Sequence, residues 1–400
     1  MMNKKDIAAM RRQFKLDNDL LTIANIYNVY IRQESRDVYY EEIQPFEMLE
    51  REQQEMFMAN FKKVLTGKMD QKIFEVKFER PSEEDPDHTQ QLLYEGLETT
   101  DLEEWKENML HIAEKMVQDT QYEHDLVVTF IRGEYFKPTK RHSDETEIDM
   151  RDEVYTNTFT LCSMNPTEQP KQSLVFDFLE RSFKSNLTVD PIINLNKPIG
   201  GFLFPCFSDG ARDVNHILYQ AAKPNQPDMA FIETVLNGGD IVTAAEDKTV
   251  FEEIVNEVVG HEVNTHTLAN VYEEINRMVD EEKEEDMAES ATLDSKAVEH
   301  VLRVSGVENV DRDTVEEAFQ SVVDDEHYEL KAQNIIPNYT SKSIKINTKV
   351  ANISISPQDL KYVNQVEYNG RRCLMIEVDE DTMVEGFKLI PVAKINTTTD

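Results

Sequence analysis

The spacing of apolar residues changes twice along this 400-residue chain. Up to residue 239, helical spacing and strand-like alternation occur in clusters, which favours a mainly antiparallel sheet with packed helices. From 240 to 326 the spacing is helical, and from 327 to 400 it alternates as in β-strands. Because this length exceeds what one hydrophobic core usually supports, we predict an α+β protein of three parts. They are an α+β body (1–239), an acidic helical module (240–326) and a small C-terminal β-rich module (327–400).

The clearest helix of the body is predicted after Thr100. Thr100 and Glu103 have the spacing of a capping box, and apolar residues then recur on one helical face. Residues 46–65 show the same helical spacing. Alternation over 72–78 and an apolar run over 125–136 predict strands.

The second half carries local signals for helix ends and for a hairpin. Gly260 follows an apolar-periodic segment, so a helix is expected to end there. Asp313 with Glu316 predicts the start of another helix. Asn369-Gly370 lies between two alternating runs and predicts a β-hairpin.

Charge is segregated along the sequence. Residues 240–326 hold 26 Asp or Glu against 6 Lys or Arg, whereas residues 331–376 hold seven basic and two acidic residues, in a chain of net charge −36. An acidic surface steers basic partners towards it and makes their association depend on salt. Since no catalytic signature accompanies this pattern, we expect a non-enzymatic interaction protein that binds other macromolecules through segregated acidic and basic surfaces. Basic ribosomal or DNA-handling proteins are the expected partners.

Cysteine content and apolar runs indicate the compartment. Cys162, Cys206 and Cys373 lie far apart, which argues against a disulfide framework or a zinc cluster and favours the reducing cytoplasm. The first residues lack the apolar core of a secretory signal, and no run approaches the ~20 apolar residues of a membrane-spanning helix. We therefore expect a cytoplasmic protein that does not engage a membrane.

Nucleic-acid binding is the alternative function, because two segments are basic. Basic residues surround Tyr135 and Phe136, an arrangement that can hold phosphates and stack a base, although intramolecular ion pairing is the competing interpretation. In the C-terminal module, Lys345 and Lys349 fall on one face of a predicted strand and Lys342 on the other. The residues predicted to contact nucleic acid or phosphate are Arg132, Lys137, Lys140, Arg141, Lys342, Lys345 and Lys349.

Residues 194–216 concentrate the residue types that occur in pockets. The candidate pocket residues are Asp209, Arg212 and His216. A hydrolase that uses Ser208 or Cys206 as nucleophile and His216 as base is the second alternative function. The glycines of a nucleophile elbow and the Lys-Ser or Lys-Thr of a phosphate loop are missing, so a structural turn is the competing interpretation.

Two histidines come close to the spacing of the zinc-protease helix. His261 and His266 are five positions apart, whereas that helix needs histidines four apart so that both rings share one face. At ~100° per residue, the second ring points about 140° away from the first. We therefore expect no metal site and no cofactor here, and interpret the segment as a turn between helices.

Four short phrases carry a family resemblance: NKKDI at 3–7, FIRGEYFKP at 130–138, DPIINL at 190–195 and PIGGF at 198–202. Through them, nearly the whole chain resembles an uncharacterised family, a domain of unknown function, of acidic cytosolic proteins from Gram-positive bacteria. That resemblance implies a length and a host class and no activity. The segments 328–330, 353–356 and 366–369 are similar to the C-terminal part of bacterial nucleoid-associated proteins.

Overall fold

The structure is a computed structural model. It describes residues 2, 4–81, 87–118, 120–137, 155–168, 173–186, 190–208, 211–260, 264–285, 291–308, 310–325, 328–337, 343–368, 370–378, 382–384 and 387–388. The chain forms two compact units, residues 1–243 and 244–400. The division into three parts stays a prediction.

The first unit combines helices with a large set of strands. Its α-helices are α1 (Lys4–Gln13), α2 (Arg51–Val64), α3 (Thr89–Glu98) and α4 (Leu102–Gln118). Its strands are β1 (Leu21–Arg32), β2 (Asp37–Pro45), β3 (Ile73–Lys77), β4 (Leu126–Lys137), β5 (Tyr155–Glu168), β6 (Ser173–Asp177), β7 (Ser182–Asn186), β8 (Ile192–Ile193), β9 (Gly200–Phe204), β10 (Cys206–Ser208), β11 (Ala211–Asp213) and β12 (His216–Ala221). A 3-10 turn (Phe46–Met48) and a π-helical turn (Phe231–Val235) also belong to it.

One antiparallel sheet organises this unit. Its strands lie in the order β2-β1-β4-β5-β9-β12-β3, and β8 pairs with the end of β5. β3 and β12 are neighbours although most of the unit's sequence lies between them. The prediction of an α+β fold with a mainly antiparallel sheet is confirmed.

Helices cover both faces of the sheet. On one face, Phe14 after α1 and Phe61 of α2 share a core with Leu218 of β12. On the other face, Trp105 of α4 packs in a second core with Phe130 of β4. Because side chains alternate across a strand, each central strand contributes to both cores, which fixes its register.

The predicted helix α4 is confirmed, but it begins with a different cap. The carbonyl of Asp101 accepts the N–H of Trp105 at 3.1 Å, and Asp101 Oδ1 accepts the N–H of Glu103 at 3.0 Å. Asp101 is therefore the N-cap, and the prediction of Thr100 in that role is wrong by one residue. The carboxylate of Asp101 is at the N-cap position, where it can accept an N–H of the first helical turn, whereas Thr100 lies one residue before that position.

The second unit is helical first and then consists of short hairpins. Its α-helices are α5 (Ala244–Val259), α6 (Thr265–Glu285), α7 (Ser295–Val304), α8 (Arg312–Val323) and α9 (Ala332–Ile335). Its strands are β13 (Thr292–Leu293), β14 (Leu330–Lys331), β15 (Ile344–Asn347), β16 (Asn352–Ile355), β17 (Val363–Tyr368), β18 (Arg371–Ile376), β19 (Met383–Val384) and β20 (Phe387–Lys388), paired as consecutive antiparallel neighbours. Among the described residues, no helix is long and apolar enough to cross a membrane.

One apolar core holds the helices of the second unit together. The sequence signals for helix ends and for the hairpin of this unit are largely confirmed. Gly260, with φ of 83°, follows α5, and Gly370, with φ of 70°, lies in the turn between β17 and β18. The cap of α8 is Asp311, whose Oδ1 accepts the N–H of Thr314 at 2.9 Å. The predicted cap at Asp313 is therefore two residues too late. Asn369, the first residue of the predicted turn, and His261 both lie outside the described residues.

Candidate functional site

Of the predicted pocket residues, Arg212 lies on a short hairpin that leads into the sheet, and His216 begins the sheet strand that follows it. β10 pairs with β11, and β12 follows after a tight turn. The Nη1 atom of Arg212 lies 3.4 Å from Glu98 Oε1 and donates to Thr158 Oγ1 at 3.1 Å. His216 has other partners, so the structure does not bring these two side chains into one hydrogen-bonded group. Asp209 lies outside the described residues.

His216 pairs with Asp213. Its Nδ1 atom lies 2.7 Å from Asp213 Oδ2. The main-chain N–H of Asn215 donates to the other oxygen of the same carboxylate, Oδ1, at 3.0 Å. The turn between β11 and β12 therefore holds the carboxylate in place, and the carboxylate orients the imidazole. This is a geometry that proteins use for general bases and for metal ligands.

Glu75 is the third member of this cluster and comes from a distant part of the sequence. In the β12–β3 ladder, Leu218 is opposite Glu75 and His216 is opposite Lys77. Because side chains alternate, Glu75 and His216 project from the same face of the sheet. Donor atoms of Glu75, Asp213 and His216 all lie within 4.8 Å of one another. In the described part of the chain, this is the one group of three or more His, Cys, Asp or Glu residues that comes so close.

The environment of Glu75 disfavours its negative charge. Burial raises the pKa of Glu75, and the charge of Asp213 acts in the same direction. The N–H of Met2, which donates to Glu75 Oε2 at 2.8 Å, and the nearby His216 act to lower it, but the net shift is upward. The second oxygen, Oε1, is buried and accepts no hydrogen bond from the described residues. Such an unpartnered buried oxygen is uncommon in folded proteins and calls for a physical reason.

Cys206 lies directly opposite Asp213 in the β10–β11 pair. Its thiol is fully buried, and this burial raises its pKa well above the ordinary value, with Glu75 and Asp213 adding to the shift. Because the thiolate is the nucleophile, this environment favours the unreactive thiol. The arrangement therefore does not favour a hydrolase based on Cys206. The side chain of Ser208 lies outside the described part of the structure.

Of the two aromatic residues in the first basic segment, Phe136 is half-buried and Tyr135 is buried. Tyr135 is buried and packs against Phe207, with ring centroids 6.2 Å apart, so its ring is not available to stack a base. Arg132 is half-buried and projects from the opposite face of β4 to Tyr135. The side chain of Lys137 and all of Lys140 and Arg141 lie outside the described part.

Two of the basic residues predicted in the second unit are exposed and can reach a nucleic acid. Lys345 in β15 and Lys349 are both exposed on the β15–β16 hairpin. β15 ends at Asn347, so Lys349 lies in the turn. The prediction that these two lysines share a strand face is therefore wrong, because the strand is shorter than its alternating sequence. Lys342 lies outside the described residues.

A cleft of about 390 Å³ lies elsewhere in the first unit, between the start of β2 and the second half of α4. Its lining carries charges of both signs. The residues that line it are Arg36, Asp37, Val38, Asp87, His111, Glu114, Lys115, Val117 and Gln118. Lys115 is held there by Thr89 Oγ1 at 2.9 Å and Asn237 Oδ1 at 2.6 Å. No motif in the sequence marks this cleft, since its walls combine one helix face with a strand end.

Sequence reasoning also missed Glu75, although a signal was present. The alternation over 72–78 puts Glu75 on the same strand face as Ile73, which the structure buries. A carboxylate on the same strand face as a buried apolar residue is a sign of a half-buried acid. Local spacing does not reveal which strand pairs with β3, so it gave no indication that His216 lies beside it.

A protein family described as a domain of unknown function (DUF4317) matches residues 2–387. The match covers nearly the whole chain, which confirms the expected resemblance to an uncharacterised family. No curated protein and no solved structure matches the chain.

Proposed function

The chain belongs to the DUF4317 family of unknown function, and we propose that it is a non-enzymatic binding protein that holds a basic macromolecular partner on the acidic helices of its second unit. The pairing of basic side chains within these helices supports the proposal. Once these basic side chains are paired, further carboxylates remain exposed on the outer faces of α5, α6 and α8.

Most described basic side chains of these helices have a carboxylate partner on the same helix. Arg277 lies 2.5 Å from Glu274 and 2.6 Å from Glu281. Arg312 lies 2.5 Å from Glu316, and Lys248 lies 3.7 Å from Glu252. Arg303 of α7 is paired with Glu299 in the same way. These partners are three or four positions apart, the spacing at which helical side chains meet, so the positive charges are neutralised locally.

Other carboxylates of these helices are exposed and make no ion pair within the described residues. Examples are Glu253 and Glu257 on α5, Glu273 on α6, and Asp313 and Glu317 on α8. The opposite faces bury apolar residues in the common core, so the carboxylates project to solvent from a rigid support. Such a surface attracts cationic partners over about one Debye length, ~8–10 Å at moderate salt.

The chemistry of the surface indicates the class of partner. A dense array of carboxylates suits the lysine- and arginine-rich surfaces of ribosomal or DNA-handling proteins. We place the encounter in the cytoplasm, since the three cysteines are all free thiols.

Affinity capture from cell lysate tests the proposal. The full chain is immobilised, and bound proteins are identified at about 50 mM and about 500 mM salt, because surface electrostatics are screened across that range. We expect basic proteins to be recovered at low salt and lost at high salt. The triple variant Glu253→Gln, Glu257→Gln, Glu317→Gln should reduce recovery at least about tenfold.

A matched control removes the same charge elsewhere. Glu103, Glu107 and Glu123 are exposed in the first unit, and their replacement by Gln should leave recovery unchanged. Recovery of the wild-type chain alone at both salt concentrations contradicts the proposal. An equal loss in both triple variants shows that net charge, and not the helical surface, is responsible.

A second candidate, nucleic-acid association, draws support from the two exposed lysines of one hairpin, Lys345 and Lys349. It predicts that DNA or RNA mobility in a gel shifts at low salt and that the shift weakens as salt rises. The double variant Lys345→Glu, Lys349→Glu should abolish the shift. Absence of a shift for the wild-type chain at low salt rules this candidate out.

A further inference from the structure

We propose that Glu75, Asp213 and His216 form a binding site for one divalent transition-metal ion, such as Zn²⁺ or Mn²⁺. The proposal is independent of the acidic helices, because all three residues belong to the first unit. It assigns a role to the one cluster in which the described residues bring three donors to within 4.8 Å of one another.

Rigid elements hold the three donors. Glu75 and His216 sit on adjacent, hydrogen-bonded strands, at positions that the ladder register fixes on one face. Asp213 is fixed by the turn, through the N–H of Asn215 at 3.0 Å. Sites built on strands keep their geometry better than sites on free loops. The fold therefore preorganises the cluster, although Glu75 lies far from the other two residues in the sequence.

The spacing of the donors is compatible with coordination after a small adjustment. Two donors on a tetrahedral ion with bonds of ~2.0–2.1 Å lie about 3.3 Å apart. The Nδ1 atom of His216 and Oδ2 of Asp213 are 2.7 Å apart, so they must separate slightly when an ion replaces the proton between them. Both side chains are partly exposed, at 26% and 27%, which leaves room for this movement and a path for the ion.

The buried oxygen of Glu75 is the second, independent observation. Glu75 Oε2 already accepts the N–H of Met2 at 2.8 Å, whereas Oε1 is buried and accepts no hydrogen bond from the described residues. A cation beside Oε1 provides the missing partner and offsets the unfavourable burial of the negative charge. The same cation also relieves the repulsion between Glu75 and Asp213.

The donor set indicates the class of ion. Two carboxylates and one imidazole suit Zn²⁺, Mn²⁺ or Fe²⁺ better than Mg²⁺ or Ca²⁺, which prefer oxygen donors throughout. Cys206 lies opposite Asp213 in the β10–β11 pair, but its sulfur is not among the donor atoms that come within 4.8 Å of one another. Three protein ligands leave at least one position for water. Lys77, opposite His216 in the ladder, is exposed, so solvent and salt screen its charge.

Calorimetric titration of the full, chelator-treated chain tests the proposal. ZnCl₂, MnCl₂ and MgCl₂ are the probes, each added alone. We expect one Zn²⁺ or Mn²⁺ per chain with a dissociation constant in the micromolar range or below, a higher melting temperature when loaded, and binding of Mg²⁺ that is at least about a hundredfold weaker.

The substitution Glu75→Gln separates metal binding from folding. Glutamine keeps an acceptor for the N–H of Met2 but removes the charge, so the metal-free protein should melt no lower than wild type. Its affinity for Zn²⁺ should fall at least about tenfold, and Asp213→Asn should have a similar effect. The control His266→Gln removes an exposed histidine of α6 and should leave binding unchanged.

Two results of the titrations overturn the proposal. One is the absence of saturable Zn²⁺ or Mn²⁺ binding to the wild-type chain, which leaves the cluster as a hydrogen-bonded group only. The other is equal affinity in Glu75→Gln and wild type. X-ray absorption of the zinc-loaded wild-type chain decides without any variant: nitrogen and oxygen neighbours at ~2.0–2.1 Å support the site, and a sulfur neighbour at ~2.3 Å contradicts it.

Discussion

The side-chain amide of Asn334 donates a 2.7 Å hydrogen bond to the carboxyl group of Asp247, which is 87 residues earlier in the chain. Both residues are buried, and Tyr328 OH donates to the other carboxyl oxygen at 3.2 Å. These bonds join α5 to the segment that contains α9, so a polar group inside the second unit's core is satisfied by residues beyond α8. A buried polar group with good partners specifies one arrangement of the elements that carry it.

We expect Asn334→Leu to destabilise the second unit by about 2–3 kcal/mol, because one oxygen of the buried carboxyl group of Asp247 loses the donor that offsets its desolvation. Urea denaturation followed by circular dichroism measures the change. The control is Asn276→Leu on α6, where the amide contacts Asp280 at the surface at 3.0 Å. That variant should stay within ~0.5 kcal/mol of wild type. Equal effects of the two variants would show that the Asp247 contact adds nothing.

Elements set by local sequence were predictable. The apolar face of α4 around Trp105 and the turn at Gly370 depend on spacing and on one residue with positive φ, and both are present as expected. The N-caps were displaced by one or two residues, because Asp101 and Asp311 compete with neighbouring cap-forming residues. Local competition of this kind is decided by tertiary packing of the helix and not by the cap sequence alone.

The candidate site was only half visible in the sequence. Asp213 and His216 are three positions apart, so one turn brings them together, and His216 was among the expected pocket residues. Glu75 joins them only because β3 pairs with β12 in a particular register. Strand pairing between distant segments depends on the whole sheet, and it does not follow from the spacing of nearby residues. The contact between Asp247 and Asn334 likewise joins distant segments, through the helix packing of the second unit.

The paired glycines of β9 allow close packing at the centre of the sheet. A Cβ atom at Gly201 would lie 2.5 Å from the carbonyl oxygen of Cys162 and 2.9 Å from Val64 Cγ1. At Gly200 the nearest atom would be the flexible Sδ of Met164, at 3.2 Å. We expect Gly201→Ala to cost about 2–3 kcal/mol and Gly200→Ala less than about 1 kcal/mol in thermal or urea unfolding. The reverse order would contradict close packing as the reason for Gly201.

The β6–β7 hairpin carries apolar residues that the described structure leaves exposed. Phe178 is 84% and Leu179 96% exposed, and Phe178 makes an edge-to-face contact with Phe176 at 5.2 Å. Replacing Phe178 and Leu179 together by Ser should therefore change the free energy of unfolding by less than about 1 kcal/mol. Phe202→Ala in the sheet core should cost ~3–5 kcal/mol. A large loss in the hairpin variant would mean that the hairpin is covered in the folded protein.

Stability should depend on pH through Glu41, which accepts a hydrogen bond from Tyr27 and lies 2.7 Å from Lys106 Nζ. Burial acts to raise the pKa of Glu41, but the bonds from Lys106 and Tyr27 outweigh it, so the pKa of the folded state lies below the ordinary value. The ionised form therefore stabilises the fold at neutral pH, and this contribution is lost as pH falls from the unfolded-state pKa of ~4.3 through the lower folded-state value. Glu41→Gln should cost about 1 kcal/mol at pH 7, and the difference in unfolding free energy between this variant and wild type should narrow towards pH 3.

The adjacent Glu42 is exposed, so Glu42→Gln should show no such convergence with wild type in urea unfolding measured at each pH. A constant gap between Glu41→Gln and wild type from pH 7 to about pH 3 would mean that packing of the side chain, and not its charge, is what stabilises the fold.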